Sequence, residues 1–139
     1  MGIGMKPRDG RKQINKKSPD RMVMIDLTGK WKYRENYGYG ITEGELFLKQ
    51  EGSELSGRII FTDKPKEEEP YMLQEFLKGR IEEHKVKLDA VEVDIIHSEH
   101  EIYYELDSWF GVLVDDVTIM GVSVDAQGVE GNFSFEKVT

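Results

Sequence analysis

From Leu27 onward, apolar and polar residues alternate with a period of two, the pattern of strands that bury one face. Leu27, Gly29, Trp31 and Tyr33 alternate with Thr28, Lys30 and Lys32 in a first strand. Leu46 and Leu48 carry the pattern through a second strand, and Leu55, Gly57, Ile59 and Phe61 through a third. Between those two, Gln50-Glu51-Gly52-Ser53-Glu54 reads as a short hairpin connection, with Gly52 available for a positive φ. Met72 to Glu82 reads as a fourth strand and Lys85 to Ile96 as a fifth, joined by a turn at Glu82-Glu83-His84. Within the fifth, the apolar phase moves from Val86, Leu88 and Ala90 to Val91, Val93 and Ile95, which predicts a β-bulge or sharp bend.

Glu101 to Leu106 and Trp109 to Val114 read as one long strand, or as two strands bent at Asp107-Ser108. Val117 to Val124 and Val129 to Lys137 close the chain as a hairpin through Asp125-Ala126-Gln127-Gly128, with Asp suited to start a type I turn and Gly to the left-handed position after it. No stretch keeps helical spacing for three turns; Glu67 to Phe76 comes nearest, but Pro70 and three consecutive glutamates make it a loop leading into a strand. The fold class predicted is all-β: a single antiparallel up-and-down β-barrel of about eight to nine strands over residues 27–139. A barrel is preferred to a sandwich because successive hairpins need no long crossover and closure removes exposed edges. The polar stretch Lys64 to Pro70 is a solvated connection or a flap over one barrel end.

Charge divides the chain in two. Residues 1–22 carry seven Lys or Arg against two Asp, a net of +5, leaving 12 basic and 25 acidic residues in the remainder, a net of −13. With few apolar side chains and no periodicity, residues 1–26 are expected to form a disordered basic tail. An acidic body disfavours nucleic acid as a partner, because phosphate binding needs a concentrated positive field. No run of about 18 apolar residues is present to span a membrane as a helix. No secretory leader is visible either, so the cytoplasm is the default expectation, with an extracytoplasmic location expected if a leader has been trimmed, and the chain is expected to be a monomer. With no cysteine, disulfides, a thiolate nucleophile and thiolate-bound zinc are excluded.

Three features together resemble bacterial members of the lipocalin-like (calycin) superfamily. Gly29-Lys30-Trp31 at the opening strand is similar to the lipocalin G-x-W motif. The hairpins Gly44 to Gly57 and Gly128 to Phe135 share a Gly-containing turn followed by Leu55-Ser56-Gly57 and Val129-Glu130-Gly131 respectively. A small residue there lets a strand bend as the sheet closes on itself. The chain has no late Arg placed to stack on Trp31. The resemblance implies a barrel with Trp31 plugging the closed end and a ligand cavity at the open one.

The interior of an eight-stranded barrel is just large enough to be filled by side chains or to hold one small ligand. Tyr33, Phe61, Phe76 and Tyr104, read as inward-facing, are the candidates to line a cavity; Tyr37, Tyr39, Trp109 and Phe110, read as loop aromatics, are candidates at its entrance. The function expected is non-enzymatic binding of a small apolar or amphipathic ligand. The alternative is a protein-interaction or inhibitor-like module with a packed barrel that acts through its loops. No cofactor is expected. His97-Ser98-Glu99-His100-Glu101 is the one cluster of metal-competent side chains, but residues 97 and 100 of a continuous strand face opposite ways, and no metal site is assigned. Asp115-Asp116 lacks the spacing of a calcium loop, and no serine sits in a nucleophile motif.

Overall fold

The computed structural model describes residues 25–138. Their regular elements are eight strands: β1 (Gly29–Asn36), β2 (Gly40–Glu51), β3 (Glu54–Pro65), β4 (Tyr71–Glu82), β5 (Lys85–His97), β6 (Asp107–Asp115), β7 (Thr118–Asp125) and β8 (Glu130–Lys137). Each pairs antiparallel with its neighbours in sequence, and β8 returns to β1 with Trp31 opposite Lys137, so the ring is closed. The up-and-down barrel expected from the alternation is therefore what the chain forms. The tail expectation falls largely on residues 1–24, which lie outside those described. Ile25 already packs against the core, and the Asp26 carbonyl accepts a hydrogen bond from Lys137 Nζ at 3.0 Å.

Turn chemistry follows the sequence closely. Gly52 (φ 64°) and Gly128 (φ 87°) take the left-handed conformation. Asp125 Oδ1 accepts from the amides of Gln127 and Val129, both at 2.9 Å, and so builds the closing turn. The phase change in β5 is a bulge at Val91: Leu77 pairs with Ala90 and Phe76 with Glu92, leaving Val91 unmatched. Beyond it, Val93 packs against the core whereas Val91 and Ile95 are exposed. Glu101 to Leu106 corrects the reading of a strand. Residues 98–106 form an irregular connection, and β6 begins only at Asp107. That connection spans the β5–β6 end of the barrel, where β5 pairs with β6 only between Lys85–Asp89 and Ser108–Val112.

The end that holds the β2–β3, β4–β5 and β6–β7 turns is closed by Trp31 and Leu27, both with no exposed surface. Trp31 Nε1 donates to the Leu27 carbonyl at 2.9 Å. Lys137 Nζ lies 5.7 Å from the Trp31 ring centroid, so a lysine supplies the cation over this ring in the absence of a late Arg. In the middle of the barrel Tyr33 meets Phe61, Trp109 and Phe135 with ring centroids 5.6, 6.2 and 5.4 Å away. Strands on opposite sides of the ring thus touch across the axis, and the apolar interior is filled.

Gly57 shows what the tight curvature demands. A Cβ built there would lie 1.9 Å from the Phe47 carbonyl oxygen, a backbone atom that cannot move aside without disturbing the β2–β3 ladder. Gly57→Ala is expected to cost about 1–3 kcal/mol of stability. Urea denaturation measures this directly; an unchanged midpoint would show that the strand pair can shift without cost.

Candidate functional site

At the open end the inward-facing side chains change character. On three strands the apolar inward phase ends on a carboxylate, and on a fourth a carboxylate interrupts it. In β1, Trp31 and Tyr33 are followed by Glu35; in β3, Ile59 and Phe61 are followed by Asp63. In β4, Glu75 lies between Tyr71 and Leu73 on one side and Leu77 on the other; in β6, Asp107 precedes Trp109. Three strands therefore bring Glu35, Asp63 and Asp107 to one end of the barrel interior, and Glu75, opposite Ile59, lies deeper, with its Oε2 on the Asp107 amide.

Tyrosines hold three of the four. Tyr37 Oη donates to Asp63 Oδ1 at 2.6 Å and Tyr71 Oη to Asp63 Oδ2 at 2.8 Å, so both carboxylate oxygens are engaged. Buried Thr42 lines the same chamber. Tyr33 Oη donates to Glu35 Oε1, and Trp109 Nε1 donates to Tyr33 Oη at 3.4 Å. Tyr104, carried inward by the 98–106 connection, donates to Asp107 Oδ2 at 2.8 Å. Glu75 has no tyrosine. Its Oε2 accepts the Asp107 backbone amide at 3.3 Å, its Oε1 has no hydrogen-bond partner, and the residue has no exposed surface.

Burial sets the electrostatics. It pushes all four carboxyls above the ordinary carboxylate range, because the charged form loses water. The hydroxyl donors pull Asp63 and Glu35 partway back. Glu75 is raised furthest, by burial first and then by the Asp107 carboxyl beside it. The same burial, with the neighbouring carboxylates, raises the phenols of Tyr33, Tyr37, Tyr71 and Tyr104, which stay protonated as donors.

Between this floor and the connecting loops is a chamber of about 270 Å³, lined among others by Glu35, Tyr37, Asp63, Tyr71, Tyr104 and Asp107. Glu68, from the loop read as a flap, lies at its rim, tied down where the Lys66 amide donates to the Tyr39 carbonyl. Wider depressions occur elsewhere. One of about 520 Å³ borders outward-facing Lys85, Lys87, Phe110 and Val112; another, of about 580 Å³, runs between Glu67–Glu69 and Ser98–Ile102. The first lies on the outer wall and the second between two loops at the mouth, so the smaller chamber lined by inward-facing carboxylates is the candidate site. No Lys, Arg or His lines it. Among the described residues no three His, Cys, Asp or Glu side chains converge as a metal cage; His97 and His100 are both exposed.

The eight aromatics expected to bind ligand separate into four groups. Tyr37, Tyr39 and Tyr104 line the chamber, Tyr39 being 74% exposed at its rim. Tyr33 and Phe61 are buried beneath it as packing. Trp109 is not in a loop but in β6, buried against Tyr33. Phe76 and Phe110 face outward, because period two opposes them to Glu75 and Leu77 and to Trp109 and Gly111. Phe76 shares the outer wall with Phe47 and Arg58, and Phe110 lies under Lys87. The carboxylates, Tyr71 and Tyr103 were not in the expected set; the signal that marks the carboxylates was their place on the inward phase of four strands.

No protein-family model matches this sequence, and no curated protein does. Solved structures do. A redesigned β-barrel, mFAP1, bound to DFHBI has a TM-score of 0.58 at 9% identity, over 80% of this chain and 94% of that one. A second redesigned barrel, mFAP0, also bound to DFHBI, gives 0.55 at 10% identity over 80% and 98%. A de novo designed fluorescence-activating β-barrel gives 0.53 at 12% identity over 84% and 100%. At such identities the likeness is one of fold, and it places the chain among eight-stranded up-and-down barrels.

Proposed function

We propose that this protein binds one small amphipathic ligand at the mouth of its barrel and catalyses no reaction on it. The observation that supports this reading is the chamber itself: about 270 Å³ of space lined by buried and half-buried polar groups above a filled apolar core. Burying carboxyls costs stability, and a barrel selected for stability alone would fill this end with apolar side chains as it fills the other. The volume lies just below the range usual for drug-sized ligands, which suits a molecule of about ten non-hydrogen atoms. The polar lining favours an amphipathic ligand over a purely apolar one. The same reading keeps the chain with the bacterial lipocalin-like proteins it resembles, on Gly29-Lys30-Trp31 at the plugged end.

Ligand-observed NMR with a mixed set of neutral, cationic and anionic fragments of that size tests the proposal. Binders should compete with one another and lose at least tenfold in affinity in Thr42→Phe, which fills the chamber from β2. An absence of binders, or undiminished binding to the filled variant, would overturn it. A second reading, a module that acts through its loops, draws on the exposure of Tyr39 (74%) and Tyr103 (86%) beside this mouth.

A further inference from the structure

We propose that the far half of β5, from Ala90 to His97, receives an extended basic segment of another polypeptide as an added strand. β5 is paired with β4 from Lys85–Glu82 to His97–Met72. On its other side it meets β6 only from Lys85 to Asp89. Among the described residues, no backbone hydrogen bond joins Ala90 to His97 to any element but β4. The 98–106 connection, whose Tyr104 packs against Tyr71 in the mouth, does not replace the missing partner. One side of this half-strand therefore presents a row of free N–H and C=O groups, the template onto which an extended chain adds.

The side chains agree with an open edge. Val91, Val93, Ile95 and Ile96 are β-branched, the residue type that suits a pleated strand. Ile95 lies opposite the fully buried Leu73 yet is itself 40% exposed, because no strand covers it from the β6 side. Val91 and Ile96 are exposed as well. Edge strands are commonly guarded by Lys or Pro, and this stretch has neither. Its guard is negative charge: Glu92 and Asp94 are exposed, on the face shared with Phe76 and Gln74 of β4.

Charge selects the occupant. From Leu88 to Glu136 the sequence has no Lys or Arg, and residues 90–106 hold five carboxyls, on Glu92, Asp94, Glu99, Glu101 and Glu105. Just past the end of β5, Ser98 enters the depression of about 580 Å³ that Glu67, Glu68 and Glu69 border from the facing loop. A second copy fits badly. Antiparallel self-pairing centred on Val93 would set Glu92 of each chain against Asp94 of the other, and like charges directly opposite are destabilising. A segment in which basic and apolar residues alternate meets both demands. Its apolar positions extend the rows of Val93 and Ile95, and its Lys or Arg positions stand beside Glu92 and Asp94.

The test is fluorescence anisotropy of the full chain with a fluorescein-labelled decapeptide of alternating Lys and Val. Three companions are the same residues with the lysines in one block, the sequence with Glu for Lys, and the fully N-methylated form. The alternating basic peptide should bind at least tenfold tighter than the blocked and methylated forms, and the acidic one not at all. Glu92→Lys with Asp94→Lys should weaken it at least tenfold. Glu130→Lys with Glu136→Lys reverses the same charge at exposed positions of β8 and should leave affinity within twofold. Amide hydrogen exchange should slow at residues 90–97 on binding. Equal weakening by both charge reversals, or equal binding of the methylated peptide, overturns strand addition in favour of diffuse attraction to an acidic barrel. Failure of every basic peptide to bind, or protection confined to other strands, overturns it too. Concentration-dependent dimers in analytical ultracentrifugation, with residues 90–97 protected, overturn it in favour of a second copy.

Discussion

Trp31→Ala should remove about 3–5 kcal/mol of folding free energy, the range for deleting a large aromatic from a core. The indole has no exposed surface, donates to the Leu27 carbonyl and lies under Lys137. Its loss would leave the closed end without a plug and Leu27 without a partner. Against the about 5–15 kcal/mol that stabilises a typical domain, such a change brings the barrel close to unfolding. Urea denaturation with Trp31→Phe as a companion separates packing from the indole hydrogen bond, and Phe should recover most of the loss. A midpoint for Trp31→Ala within experimental error of the parent would mean the end is sealed by other groups. Ligand affinity of the folded fraction should not move, because Trp31 is at the end opposite the chamber.

The second large effect is on stability as a function of pH. Burial, and for Glu75 the Asp107 carboxyl beside it, holds this pair in the fold well above the value near 4 at which both ionise in the unfolded chain. Over that interval the native state binds more protons than the unfolded state, so stability falls as pH rises. The pair's contribution is whole below about pH 4 and declines as pH rises from there through neutrality. The limiting slope is about 1.4 kcal/mol per pH unit for each proton. The titratable groups around the pair are Glu35 and Tyr33 from β1, Asp63 from β3, Tyr71 from β4, Tyr104 from the 98–106 connection and Asp125 from β7; none is cationic. Glu75→Gln should match the parent in weak acid and exceed it by more than about 1 kcal/mol above neutrality. Denaturant midpoints collected from about pH 4 to 9 provide the measurement. Parallel curves for parent and variant would show that Glu75 keeps no excess proton in the fold.

These two sites differ in how visible they were in the sequence. The plug was legible because Gly29-Lys30-Trp31 combines a local motif with strand alternation, and both depend only on neighbours in the chain. The bulge at Val91 was legible for the same reason: a slip of one residue leaves its mark in the apolar phase itself. The 98–106 connection was not, since Ile102 and Tyr104 alternate with polar residues as a strand would, and only the divergence of β5 from β6 decides against it. The chamber was hidden more deeply. Glu35, Asp63 and Asp107 are up to 72 positions apart in sequence, and only the closing of the ring brings them to one chamber, with Glu75 buried beside Asp107. Phe76 was misplaced by a single step of parity, with Glu75 taking the inward position that an aromatic was expected to fill.

The short pairing between β5 and β6 gives this ring a clasp. Elsewhere neighbouring strands are laced along most of their length, as β2 and β3 are from Gly40–Pro65 to Glu51–Glu54. At the clasp, lacing stops at Asp89 and Ser108, and the flank of β5 above it is answered only by irregular chain. Parting two strands costs least where the fewest backbone bonds must break, so local opening at this flank demands less than anywhere else in the wall. A guest would then enter sideways, between strands, and the 98–106 segment would swing with Tyr104 at its tip rather than lift from above.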